Sequence, residues 1–107
     1  MVEGDEGIKN IAEISKVEGI DLIYIGLFDL AKSIGMSDNL EDPKIIELLK
    51  ETKEIIQSNG VKVGSMAKDV SYAKRLSNLG FDFIAFYNDA AALKSFFQDS
   101  ISSIKED

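Results

Sequence analysis

Three short apolar runs, LIYIGL at residues 22–27, VKVGSM at 61–66 and FDFIAFY at 81–87, alternate with stretches of helical periodicity. That alternation limits the fold more than any other feature of the chain. A run that is apolar at nearly every position suits a strand covered on both faces, as in parallel sheets. Parallel neighbours need a long crossover between them, and a helix supplies it. The pattern therefore predicts an α/β fold of right-handed βαβ units, with parallel strands alternating with helices.

The helical stretches carry their own punctuation. Residues 7–17 place Ile8, Ile11, Ile14 and Val17 on one stripe, and Gly19 follows as a helix stop. Residues 28–42, around Gly35, read as a loop or a short helical turn. Asp42-Pro43 is a strong helix start, a cap followed by proline at the first helical position. The helix 43–58 uses Ile45, Ile46, Leu49, Ile55 and Ile56, and Asn59-Gly60 stops it. Asp69 caps a helix running through Leu79, with Ala73, Leu76 and Leu79 on one side and Gly80 at its end. Asn88 or Asp89 caps the last helix, whose core face is expected to be Leu93, Phe96, Phe97, Ile101 and Ile104, with Lys105 to Asp107 fraying. Met1 to Glu3 read as the end of an earlier strand. No linker, repeat or low-complexity segment divides the chain, so residues 1–107 are expected to form one unit.

Composition narrows the function. A net charge of −7 without a basic stretch lacks the cationic footprint that nucleic acid requires. No apolar run approaches the roughly 20 residues of a membrane span, and no basic-then-apolar leader opens the chain. The expectation is a protein with neither nucleic acid nor membrane as partner. Cysteine is absent, which removes disulfides and thiolate metal sites and fits a reducing cytoplasm. Histidine is also absent, which removes the commonest general base near neutral pH and the commonest neutral metal ligand.

Two carboxylates stand out because of where they fall. Glu3 and Asp29 each sit where an apolar strand-like run gives way to a polar loop. In parallel β/α folds functional groups gather at the C-terminal ends of strands. One short helix separates the two acids, so their strands can be neighbours, about 4.8 Å apart. Such a pair, completed by waters and substrate oxygens, suits Mg²⁺ or Mn²⁺ better than zinc. Gly26 would let the backbone approach a ligand closely, with the amides of Phe28 and Asp29 facing an anion. The plainer readings are that Asp29 is a helix cap or turn residue and Glu3 a solvated surface group. Lys62 and Lys68 flank a strand and read as solvent-facing. Tyr24 and Tyr87 read as packing aromatics. Arg75, the only arginine, lies on a helix and reads as a surface residue.

The stretch VEGDEGIKNIAEISKVEGIDLIYIGLFDLAKSIG resembles the HpcH/HpaI aldolase family at Glu3, Gly7, Asn10, Val17, Gly19, Asp21, Ile25, Gly26, Asp29, Leu30 and Gly35. The later segments NGVKVGSMAKD and LGFDFIAFYNDAAAL are similar to that family's last two strand–helix units. The resemblance implies a (β/α)₈ TIM barrel, of which this chain is the C-terminal half. It implies a lyase of the metal-dependent aldolase type, acting on pyruvate or a related 2-oxo acid. Glu3 and Asp29 would hold the divalent ion, and the backbone of Phe28 and Asp29 would help hold the pyruvate carboxylate. The family's basic histidine and pyruvate-binding arginine come from the other half, so no catalytic acid–base residue is expected in this chain. The chain departs from the family pattern at Gly4, Leu27 and Ala31, where the family has threonine, proline and serine. Leu27 is expected to remove a rigid turn, Ala31 a hydroxyl beside the metal, and bulky Phe28 to crowd the pyruvate pocket. The expected partner is an N-terminal half-barrel or a second copy of the chain, because an open half-barrel exposes strand edges and apolar faces. The alternative is a non-catalytic half-barrel that acts in oligomerisation.

Overall fold

The computed structural model describes residues 1–36 and 39–106. Strands β1 (Leu22–Ile25), β2 (Lys62–Ala67) and β3 (Phe83–Phe86) form one parallel sheet in the order β1-β2-β3. Val2 adds a parallel bridge to Ile25: its N–H donates to the Tyr24 carbonyl at 2.8 Å, and its carbonyl accepts from the Gly26 N–H at 2.8 Å. The segment before β1 is therefore a neighbouring strand end, as its sequence suggested. Around the sheet lie α1 (Asp5–Lys9), α2 (Ile11–Ile14), α3 (Leu27–Ser33), α4 (Pro43–Ser58), α5 (Val70–Leu79) and α6 (Asp89–Lys105). Among the described residues no helix is long and apolar enough to cross a membrane.

Strands that follow sequence order, joined by right-handed crossovers, put every crossover helix on the same face. The register shows which face that is. Ile23 pairs with Val63, and Ile25 pairs with Ser65, which pairs with Ile84. These residues are buried or half-buried, together with Ile45, Leu49 and Ile56 of α4 and Tyr72 and Leu76 of α5. The alternate positions, Leu22 with Lys62, Tyr24 with Gly64 and Phe83, and Met66 with Ala85, form the opposite face. Leu22 and Phe83 are exposed there. A sheet covered by helices on one side only is an arc of a β/α barrel rather than a doubly wound sheet, whose strand order reverses at a switch point and which carries helices on both sides.

Side-chain caps set the helix starts. Asp42 accepts from the Lys44 N–H, Asp69 from the Tyr72 N–H and Asn88 from the Ala91 N–H, each at 2.8 Å. Asn88 is thus the cap of α6, which decides between it and Asp89. Gly80 closes α5 in the left-handed region, with φ 87°.

Five expectations are corrected. The stripe at 7–17 is two short helices broken at Asn10, and Val17 is exposed beyond them. β1 ends at Ile25, and Leu27 already belongs to α3, because Leu27, Leu30 and Ala31 have helical spacing and turn together into the core. On α4, Thr52 takes a buried place while Ile55 is exposed. The expected core face of α6 is exposed throughout: the helix buries no residue, and Leu93, Phe96, Phe97, Ile101 and Ile104 are each at least 50% exposed. The helix itself runs to Lys105, so fraying does not begin there, and Asp107 lies outside the described residues.

Two polar ties lock the layers. Asp82, just before β3, accepts from the Val63 N–H at 2.9 Å and from Gln57 Nε2 at 3.1 Å. These bonds hold its carboxyl below the ordinary range. The buried Tyr72 hydroxyl donates to the Leu40 carbonyl at 3.0 Å, fastening the segment before α4 to α5. Burial pushes the Tyr72 phenol up to about 12 from an ordinary 10.0. Its folded value is raised, so its contribution to stability is complete below pH 10 and is lost as pH rises through about 12. Tyr72→Phe leaves the Leu40 carbonyl without this partner and is expected to cost about 1–2 kcal/mol. The cost would appear as a lower urea midpoint at unchanged slope. The substituted chain should also lack the part of the alkaline decline that Tyr72 supplies.

Candidate functional site

The Val2–Ile25 bridge places Glu3 beside Gly26, at the C-terminal end of β1. A Cβ added to Gly26 would lie 2.7 Å from Glu3 Cβ and 3.2 Å from Glu3 Oε2. The space a side chain at residue 26 would need is already filled by Glu3. Gly26 thus permits a close approach, but the group that approaches is the side chain of the neighbouring strand end. Gly26 is also the N-cap of α3, whose first turn carries Asp29. The register therefore brings Glu3 to the start of the helix that bears Asp29.

Both carboxylates are exposed, and among the described residues neither makes a side-chain hydrogen bond or an ion pair. In particular α3 has no side-chain cap, so Asp29 does not serve as one. Among the described residues no group of three or more aspartate, glutamate, histidine or cysteine side chains converges. The two side chains could offer a metal carboxylate oxygens only. Such a donor set suits a hard divalent ion that keeps several water or substrate oxygens, and not a closed zinc site.

The family departures fall elsewhere than expected. Leu27 is 1% exposed and Ala31 0%, both turned into the core from α3. Neither stands in a loop facing the rim. Phe28, in the same turn as Asp29, is 50% exposed and is the bulky group of this segment on the surface.

Other candidates are engaged or distant. Lys68, just past β2, pairs with Asp69 at 3.1 Å and Glu41 at 3.4 Å, and its ammonium stands 5.9 Å from the Tyr72 ring centroid. The Asp69 bond raises its pKa, with Glu41 adding to it, which keeps the amine protonated and unfit for Schiff-base chemistry. Arg75 sits on α5, in the outer layer. Lys62 opens β2 on the helix-free face. Tyr87, just past β3, has φ 62°, a backbone conformation costly for a non-glycine residue. No sequence signal marked it, since tyrosine is an ordinary strand residue. It lines a cleft of about 490 Å³ with Phe86, Ala92, Ser95, Phe96 and Asp99.

Strands in sequence order, helices on one face and acids at the strand ends define a segment of a TIM-type β/α barrel. The chain belongs to the HpcH/HpaI aldolase/citrate lyase family, whose model matches residues 1–95. It is 29% identical over 105 residues to a hydroxypyruvate/pyruvate aldolase of Chromohalobacter salexigens, covering 98% of this chain and 41% of that protein. To the hydroxypyruvate/pyruvate aldolase of Pseudomonas aeruginosa it is 32% identical over 93 residues, 87% of this chain and 35% of the relative. The crystal structure of an HpcH/HpaI aldolase from Desulfitobacterium hafniense matches with a TM-score of 0.89 and 25% identity, over 97% of this chain and 40% of that one. The chain thus spans about two fifths of the proteins it matches.

The packing at Gly26 yields a direct expectation. Gly26→Ala drives a methyl into Glu3 and should cost about 1–3 kcal/mol, the range for overpacking. The loss should be local: hydrogen exchange at the Gly26 amide, which donates to Val2, should speed up more than exchange within β2.

Proposed function

We propose that this chain is the metal-bearing C-terminal half of an aldolase-type carbon–carbon lyase, incomplete without an N-terminal half. One observation supports the reading. Glu3 lies over Gly26, the N-cap of the helix whose first turn carries Asp29, and among the described residues neither carboxylate is used in side-chain hydrogen bonding or ion pairing. The substrate is pyruvate or a related 2-oxo acid, in keeping with the names of the aldolase relatives. When bound, Mg²⁺ or Mn²⁺ would supply Lewis-acid stabilisation of the negative charge that develops as the 2-oxo acid becomes a nucleophile.

The chain's own residues divide the remaining work. Glu3 and Asp29 supply the anionic oxygens that hold the ion. The backbone amides of Phe28 and Asp29, in the first turn of α3, help orient the substrate carboxylate. The exposed Phe28 ring narrows the entrance and favours a small acid. No histidine is available and Lys68 stays protonated, so the proton-transfer groups and a pyruvate-binding cation belong to the other half. The isolated chain is therefore expected to bind metal without turning over substrate. Mn²⁺ titration followed by electron paramagnetic resonance should give saturable binding. Asp29→Ala should abolish that binding with the fold unchanged by circular dichroism. Mn²⁺ binding that is absent, or indifferent to Asp29→Ala, would reject the metal role.

A second reading has its own support. The exposed stripe of Leu93, Phe96, Phe97, Ile101 and Ile104 on α6 favours a half-barrel that also associates with copies of itself. Sedimentation should then show concentration-dependent self-association. Phe97→Glu should suppress it while leaving Mn²⁺ binding intact.

A further inference from the structure

We propose that Asn59–Gly60 is a deamidation site whose chemistry the fold holds back. Of the chain's asparagines only Asn59 precedes a glycine; Asn10, Asn39, Asn78 and Asn88 precede Ile11, Leu40, Leu79 and Asp89. A side chain on the following residue hinders its amide nitrogen, whereas glycine leaves that nitrogen free to attack the asparagine side chain. Water is the only co-reactant the step needs. The Gly60 nitrogen gives its proton to solvent base and bonds to Asn59 Cγ, and Nδ2 departs as ammonia. The five-membered imide then takes up one water. Opening at Cγ leaves aspartate, and opening at the backbone carbonyl leaves isoaspartate. Asn59 and Gly60 are both exposed, so water and base reach them.

The folded chain occupies both reacting groups. α4 ends in a Schellman turn: Gly60 has φ 77°, its N–H donates to the Gln57 carbonyl at 3.0 Å, and the Val61 N–H donates to the Ile56 carbonyl at 3.4 Å. The turn that calls for glycine thus also engages the nucleophile. Asn59 Nδ2 donates to Ser15 Oγ at 2.9 Å and to the Ile55 carbonyl at 3.2 Å. Ser15, the C-cap of α2, is buried, and its hydroxyl donates in turn to the Ala12 carbonyl at 3.2 Å. One asparagine therefore joins the ends of α2 and α4, and it reacts only when this corner opens locally. The product loses both donations, because a carboxylate has no N–H to offer Ser15 or Ile55. It also adds a negative charge at the C-terminus of α4, where the helix dipole is negative. Isoaspartate further adds a carbon to the main chain between α4 and β2.

The test ages the folded chain and the guanidinium-unfolded chain side by side in mildly alkaline buffer made with heavy-oxygen water. Digestion and mass spectrometry then locate the label. Asn59 is expected to take it up ahead of every other asparagine, as a mixture of aspartate and isoaspartate. The folded chain should react on the order of a hundredfold more slowly, since the three bonds made by Asn59 Nδ2 and the Gly60 N–H must open first. Ser15→Ala removes one of them and should speed the folded reaction about fivefold, leaving the unfolded rate and hydrogen exchange within β2 unchanged. Should Ser15→Ala fail to fold, Asn59→Asp reads the same tie: it should lower the urea midpoint and speed exchange at the Gly60 and Val61 amides. Equal rates in the folded and unfolded chains, or a folded rate indifferent to Ser15→Ala, overturn the restraint by the fold. Label that enters another asparagine first, or an unfolded chain that takes up none at Asn59, overturns the site.

Discussion

The handedness of the strand–helix–strand crossover governs this molecule. Crossovers between parallel strands are right-handed as a rule, and with the strands in sequence order from Val2 through β3 that rule keeps the crossover helices on one face. The helix side becomes a dense layer with fully buried Ile25, Val63, Leu49, Ile56 and Leu76. Its polar groups are satisfied within it, as with Ser65, whose buried hydroxyl donates to the Ile25 carbonyl at 2.9 Å. The other face is left with two aromatic rings around a glycine. The C-terminal strand ends emerge along one rim, which is why Glu3 comes to lie over Gly26, at the start of the helix that bears Asp29.

Much of this was legible from the residues. The three apolar runs fall on the three strands, and the caps Asp42, Asp69 and Asn88 act where their side chains predict. What escaped detection did so for identifiable reasons. LIYIGL reads as one run because Leu27 is apolar in either state. Only its later partners, Leu30 and Ala31, reveal that it opens a helix. The acids Glu3 and Asp29 were visible by position, but the packing of Glu3 over Gly26 depends on strand register, which local pattern does not encode. Tyr87 gave no sign of its positive φ, because the conformation is imposed between a ladder bond to Ala67 and the Asn88 cap.

Charge at the rim is organised by sign. Lys68, the cation nearest the end of β2, is held by Asp69 and Glu41, while Glu3 and Asp29 have no cation assigned to them among the described residues. Two carboxylates near one another repel unless something positive lies between them. Turning Lys68 toward them would break two ion pairs and its contact with the Tyr72 ring. Lys68 is thereby kept from neutralising the two acids, whose side chains stay exposed to solvent.

The two uncovered apolar surfaces differ in kind. α4 and α5 each run between two paired strands, so the crossover fixes which face they present to the sheet. α6 follows β3, and among the described residues no strand after it pins the helix. Its amphipathic stripe shows that a face needs cover, but its connection does not dictate which surface provides it. The structure reflects this: α6 is well capped by Asn88, buries nothing, and accompanies a body extended to 58 × 26 × 22 Å. The helix-free face of the sheet, by contrast, is shaped by register, which sets Tyr24, Gly64 and Phe83 side by side across its three strands. The two surfaces therefore answer to different constraints, strand register in one case and free hydrophobic area in the other.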